Sequence, residues 1–111
     1  MTRCVADLCR KENGDLIMYL SAFGHADYAE NGKDIVCSAV SSLCTALANT
    51  LLAYGVPKVS LRVKEGNFLV DACITENHGQ CEGAYEMACT GLAMIADQFP
   101  DHVFFARGES H

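Results

Sequence analysis

Twice along this chain, two strand-like segments joined by a short turn run into one long segment of helical period. That repeated order limits the fold more than any other feature. In the first unit, residues 3–10 alternate so that Cys4, Ala6 and Leu8 share one face, the period of a half-buried strand. Lys11-Glu12-Asn13-Gly14 follows, and Asn-Gly accepts the positive φ of a hairpin turn. Residues 16–23 are apolar on both faces, as in a strand central in its sheet. A polar stretch, residues 24–33, leads to Asp34, a good helix N-cap. Val36, Val40, Leu43, Leu47, Leu51 and Tyr54 then recur at helical spacing over residues 35–54. Gly55 ends that helix and Pro57 prevents its continuation.

The second unit repeats the order. Residues 58–64 alternate, with Val59, Leu61 and Val63 inward against Lys58, Ser60, Arg62 and Lys64. Glu65-Gly66-Asn67 makes the turn. Residues 68–74 put Phe68, Val70, Ala72 and Ile74 on one face. After a polar loop, residues 75–80, a helix is predicted over residues 81–99, with Tyr85, Ala88, Leu92, Ile95 and Phe99 as its buried stripe. Pro100 stops it, and residues 102–107 read as a last short strand. The order β-β-α-β-β-α-β predicts a two-layer α+β domain, with a mainly antiparallel sheet and both helices on one face. The 111 residues fit one domain covering 1–111.

Charge and cysteine content narrow the function. A net charge of -6 repels phosphate backbones and argues against direct nucleic-acid binding, while it attracts basic partners. The seven cysteines are odd in number and cannot all pair. The first fifteen residues carry Arg3, Asp7, Arg10, Lys11 and Glu12, unlike a secretion leader. The apolar run around residues 43–54 is broken by Thr45, Asn49 and Thr50, so no membrane span is expected. These readings place the chain in a reducing compartment, the cytoplasm, with free thiols.

One stretch carries chemistry. His25 leaves the end of the second strand, and Cys37 falls in the first turn of the first helix, behind Asp34. The unpaired N–H groups and the dipole at a helix N-terminus stabilise an anion, here a thiolate. A neighbouring imidazole can take the thiol proton. The N–H groups of Cys37 and Ser38 are candidates to hold the oxyanion of a tetrahedral intermediate. Spacing alone leaves open a packed cysteine and a solvated histidine, because such pairs are defined by geometry. Two other classes compete. Cys73, His78 and Cys81, with Cys89 beyond, suggest a zinc-binding module, although no Cys-x-x-Cys is present. A non-catalytic ribosome-associated or dimeric interaction protein would also suit the acidic surface. A thiol–imidazole pair requires neither metal nor cofactor.

The block Gly24-His25-Ala26, Gly32-x-Asp34-x-Val36-Cys37 and Ser41 resembles the ribosomal-processing cysteine proteases, Prp, of the YsxB-like family. The likeness extends over nearly the whole chain and includes Asn49 and Gly66-Asn67-Phe68. It implies that Cys37 and His25 are the catalytic pair of an endopeptidase working through an acyl-enzyme. It further implies a homodimer, and as substrate the precursor of large-subunit ribosomal protein twenty-seven. Its N-terminal extension would be removed after an aromatic-rich motif ending in two Phe, a step in ribosome assembly. Ser38 departs from the pattern, where a small residue such as Ala is expected. Around the pair, Asp34 is either the cap that presents Cys37 or a third member that orients His25. Ser41, one turn after Cys37, either hydrogen-bonds near the thiolate or packs against the loop. Gly24 and Gly32 either let loop 26–33 close on a peptide or are ordinary turn residues.

Overall fold

The computed structural model describes residues 1–30, 34–56, 59–64 and 66–110. In it the seven elements appear in the expected order: β1 (Thr2–Arg10), β2 (Leu16–Phe23), α1 (Ile35–Ala53), β3 (Val59–Lys64), β4 (Asn67–Ile74), α2 (His78–Gln98) and β5 (Val103–Ser110). Gly14 takes the left-handed φ of +92°, which closes the first hairpin as its Asn-Gly sequence demands. The expected positions of Gly32, Pro57, Lys58 and Glu65, and the facing of Ser60, Leu61, Val63 and Lys64, lie outside the described residues and side chains.

The two sequence units interleave in one five-stranded sheet of order β3-β4-β2-β1-β5. The apolar β2 is its middle strand. β1·β2, β2·β4 and β3·β4 are antiparallel, and β5 alone runs parallel to its neighbour β1. Each helix therefore joins two strands that point the same way. α1 leads from β2 leftward past β4 to β3, and α2 leads from β4 rightward past β2 and β1 to β5. Strand direction and direction of travel both reverse between the two crossovers. Two right-handed crossovers related in this way put their helices on the same side of the sheet.

The core lies between sheet and helices. Cys4, Ala6 and Leu8 of β1 are buried, as are Leu16, Met18, Leu20 and Ala22 of β2, and Phe68, Val70, Ala72 and Ile74 of β4. Val36, Val40, Cys44, Leu47, Ala48 and Leu51 of α1 meet them, with Cys81, Tyr85, Ala88, Cys89 and Leu92 of α2. The expected α1 stripe is corrected at two places: Tyr54 is exposed and Leu43 is only partly buried. Leu43 turns to α2 instead, where a Cβ on Gly91 would come within 2.8 Å of its Cδ1. The absence of a side chain at Gly91 thus sets the close approach of the helices. Tyr85 is fully buried, and its hydroxyl donates to the Tyr19 carbonyl at 2.9 Å.

Three boundaries move. α2 begins at His78, not at residue 81, because the polar residues of its first turn still close a helical bond from Cys81 N–H to the Asn77 carbonyl at 3.0 Å. Asn77 sits there at a left-handed φ of 53°. β5 continues to Ser110 because β1 offers it backbone partners through the pair Cys9↔Ser110, whatever the side-chain pattern. The expectation that no segment approaches a membrane span is also corrected. α1 has 19 residues and a mean hydropathy of 1.7, enough by length and composition to cross a bilayer. Its apolar stripe is packed against the sheet and α2, as in a core helix.

Candidate active site

The site forms where the chain leaves β2 and enters α1. Gly24 turns the chain at a φ of +91°. A Cβ there would lie 2.5 Å from the Met1 carbonyl oxygen, so only glycine fits without displacing backbone. Its N–H donates to the Gly66 carbonyl at 2.8 Å, which ties the end of β2 to the β3–β4 turn. Gly66 is in the left-handed region as well, with φ +70°. A Cβ on Gly66 would stand 2.9 Å from His25 Nε2. The imidazole of His25 therefore lies against the bare backbone of that turn, with the residue itself exposed.

Asp34 is buried and organises the loop and the helix start together. Its Oδ1 accepts the N–H groups of Val36 and Cys37 at 3.0 and 2.9 Å. Its Oδ2 accepts those of Tyr28 and Ala29 at 3.0 and 3.4 Å. Burial by itself would raise the carboxyl, but the bonds from Cys37, Tyr28 and Ala29 outweigh it and hold Asp34 below its ordinary value. Both oxygens are thus engaged by backbone at the helix cap.

Cys37 lies in the first turn of α1, partly buried. Its sulfur accepts the Ala26 N–H at 3.2 Å. Cys37, His25, Ser38 and Ser41 all line one groove of about 600 Å³, which also touches Gly24 and Asp34. The structure therefore brings all six residues singled out from the sequence to one place. Ser38 and Ser41 are exposed in it. One expected detail changes. The Cys37 N–H is already bonded to Asp34 Oδ1, and the Ser38 N–H donates to the Asp34 carbonyl at 3.1 Å. Neither is free to bind an oxyanion, because the cap that shapes the turn uses the first and the opening helical bond uses the second.

Two groups at the site were missed from the sequence. The Ala26 N–H reaches the sulfur, but a backbone donor leaves no trace in residue type. Asn67 lines the groove with a buried Oδ1 that has no hydrogen-bond partner among the described residues, an acceptor suited to a peptide N–H. Its place behind Gly66 in the turn was the available signal. The alternative zinc ligands do not converge. Cys81 is buried in the helix–sheet core, while Cys73 lies between the inward Ala72 and Ile74 and so faces the other side of the sheet. His78 Nε2 instead pairs with Asp15 at 3.3 Å. Among the described residues no three potential ligands come together.

Comparison with known proteins gives this geometry its family. No curated protein matches the sequence significantly. Among solved structures, the chain is similar to an essential ribosomal processing protease Prp from S. aureus in complex with a covalently linked product peptide. That pair has 18% identity and a TM-score of 0.74, over 95% of this chain and 99% of the other. The same protease with a substrate peptide aligns at 17% identity and a TM-score of 0.70, over 97% and 100%. SMU.848 from Streptococcus mutans aligns at 29% identity and a TM-score of 0.74, over 99% and 96%. The model of the cysteine protease Prp family matches residues 4–104, a span that runs from β1 into β5 and contains His25, Asp34, Cys37 and Asn67 of the groove, and on that match the chain belongs to the Prp family of cysteine proteases.

Proposed function

We propose that this chain cleaves a peptide bond with Cys37 as nucleophile and His25 as its base, and that its substrate is the precursor of large-subunit ribosomal protein twenty-seven. The observation that carries the reading is the environment of one sulfur. Cys37 Sγ stands at the N-terminal turn of a 19-residue helix, accepts the Ala26 N–H at 3.2 Å, and opens into the groove that His25 also lines. A helix N-terminus and an N–H donor both favour negative charge on sulfur. His25 accepts the thiol proton; Cys37 attacks the scissile carbonyl; His25 returns the proton to the leaving amine as the acyl-enzyme forms. Water then releases the acyl group by the same route. Asp34 serves this reading as the cap that presents Cys37. Asn67 Oδ1 accepts an N–H of the bound peptide.

The S. aureus complexes, with a product and a substrate peptide, support a peptide in this groove. The acidic net charge of -6 suits a basic ribosomal protein, and that substrate places the reaction in the cytoplasm. A homodimer is part of the proposal. Val5, Phe23 and Phe104 are exposed on the sheet face away from the helices, and sedimentation should return twice the chain mass. The decisive experiment incubates the protein with the extended ribosomal protein and measures the product mass. Cleavage after the paired Phe is expected. Cys37→Ala should abolish it and His25→Ala should reduce it by at least about 100-fold. Near-normal cleavage by either variant would remove the dyad.

A further inference from the structure

His102 follows α2 and precedes β5, in the half-buried connection between them. Its Nδ1 stands 2.8 Å from the Ala26 carbonyl oxygen. A carbonyl only accepts, so Nδ1 must carry the proton. Ala26 is therefore held from both ends. Its C=O takes the His102 proton, and its N–H donates to Cys37 Sγ at 3.2 Å. Ala26 is 1% exposed, so neither bond competes freely with water. The next residue, Asp27, has a left-handed φ of 56°, a conformation that persists in a non-glycine residue only where its neighbours enforce it.

His102 is itself fixed. Its backbone N–H donates to the Phe99 carbonyl at 2.9 Å, and its backbone carbonyl accepts the Thr2 N–H at 2.9 Å. The Tyr28 ring stands edge-on to the His102 imidazole, with centroids 5.4 Å apart, and edge-on to Phe99 at 5.3 Å. A fixed donor thus grips a loop residue whose other end touches the reactive sulfur.

We infer that His102 is a positioning residue of the protease: it holds Ala26 so that the Ala26 N–H stays aimed at Cys37 Sγ and stabilises the thiolate. The inference rests on the dyad reading. It makes His102 act through Ala26 without touching the substrate.

The test measures iodoacetamide labelling of each cysteine by peptide mass, in the whole protein near neutral pH, together with cleavage kinetics. His102→Leu keeps the bulk and removes the donor. It should slow Cys37 labelling about tenfold, the worth of one hydrogen bond to a charged group, and lower kcat with KM unchanged. Cys9 and Cys73, both partly exposed, should label at the parent rate. His102→Asn places an amide N–H where Nδ1 stood and should restore Cys37 labelling to within about twofold of the parent. Equal slowing by Leu and Asn would overturn the inference in favour of ring packing. No slowing by Leu, or a matching change at Cys9 and Cys73, would overturn it too. Failure of the dyad reads out separately, as cleavage by Cys37→Ala or as a parent Cys37 that labels no faster than Cys9 and Cys73.

Discussion

Seven thiols of one chemical type are sorted by their surroundings. Burial pushes Cys4 up to about 11 and Cys44 to about 12, and raises Cys81 and Cys89 as well. Only the thiolate attacks an alkylating agent. In the folded protein near neutral pH, labelling should therefore reach Cys9, Cys37 and Cys73, with Cys37 fastest. Peptide mapping after a short exposure checks this, and early labelling of Cys44 would contradict the packing. Glycine matters at the same scale. Gly66→Ala would place a Cβ 2.9 Å from His25 Nε2 at a φ of +70°. The backbone strain should cost about 1 kcal/mol of stability. The displaced imidazole should lower kcat roughly 10- to 100-fold. Steady-state kinetics beside a thermal melt separates the two effects, since strain alone would leave kcat at its parent value.

At the scale of the element, the start of α1 depends on one carboxylate. Asp34 accepts four backbone N–H groups, two from the helix and two from the loop. Asp34→Ala should cost about 2 kcal/mol, the upper end for loss of a cap, and should lower activity because Cys37 and Ala26 lose their common frame. Asp34→Asn should recover part of the stability, since one amide oxygen can still cap. The sign of the pH effect follows from the lowered carboxyl. A carboxyl held below its unfolded value of about 3.9 adds stability above that pH. The contribution disappears as pH falls through the lowered folded value. Denaturant titrations over the acid range should show the parent losing its advantage over Asp34→Asn there. A constant difference would show that Asp34 does not titrate with folding.

At the scale of the whole molecule, the site depends on β2 lying in the middle of the sheet. β2 carries His25 just past its end, pairs with both β1 and β4, and buries Leu16, Met18 and Leu20 completely. Leu20→Ala should destabilise the fold by about 3 kcal/mol through lost burial and a residual cavity. The slope of unfolding against denaturant should not change, since the surface exposed on unfolding is nearly the same. A shift below about 1 kcal/mol would mean that the core closes over the gap. Interleaving of the two sequence units couples distant segments at the groove. Thr2 of β1, Gly66 and Phe68 of the second hairpin, and Cys37 of α1 all line it.

Legible in the residues were the seven elements, the inward faces of β1 and β4, the central place of β2, the Asp34 cap, and a loop histidine and a helix-start cysteine as candidates. These features are local: alternation, helical period, turn chemistry and capping are written in neighbouring residues. The first turn of α2 and the end of β5 were not legible, because polar residues accept a helix or strand whenever a backbone partner is supplied. Leu43 and Gly91 belong together only because two helices cross there. Only the fold brings the Ala26 N–H to the sulfur and His102 to the Ala26 carbonyl from 76 positions away. In each of these contacts one side is a backbone group of Ala26. Every residue has the same backbone groups, so side-chain identity could not announce which of them would meet.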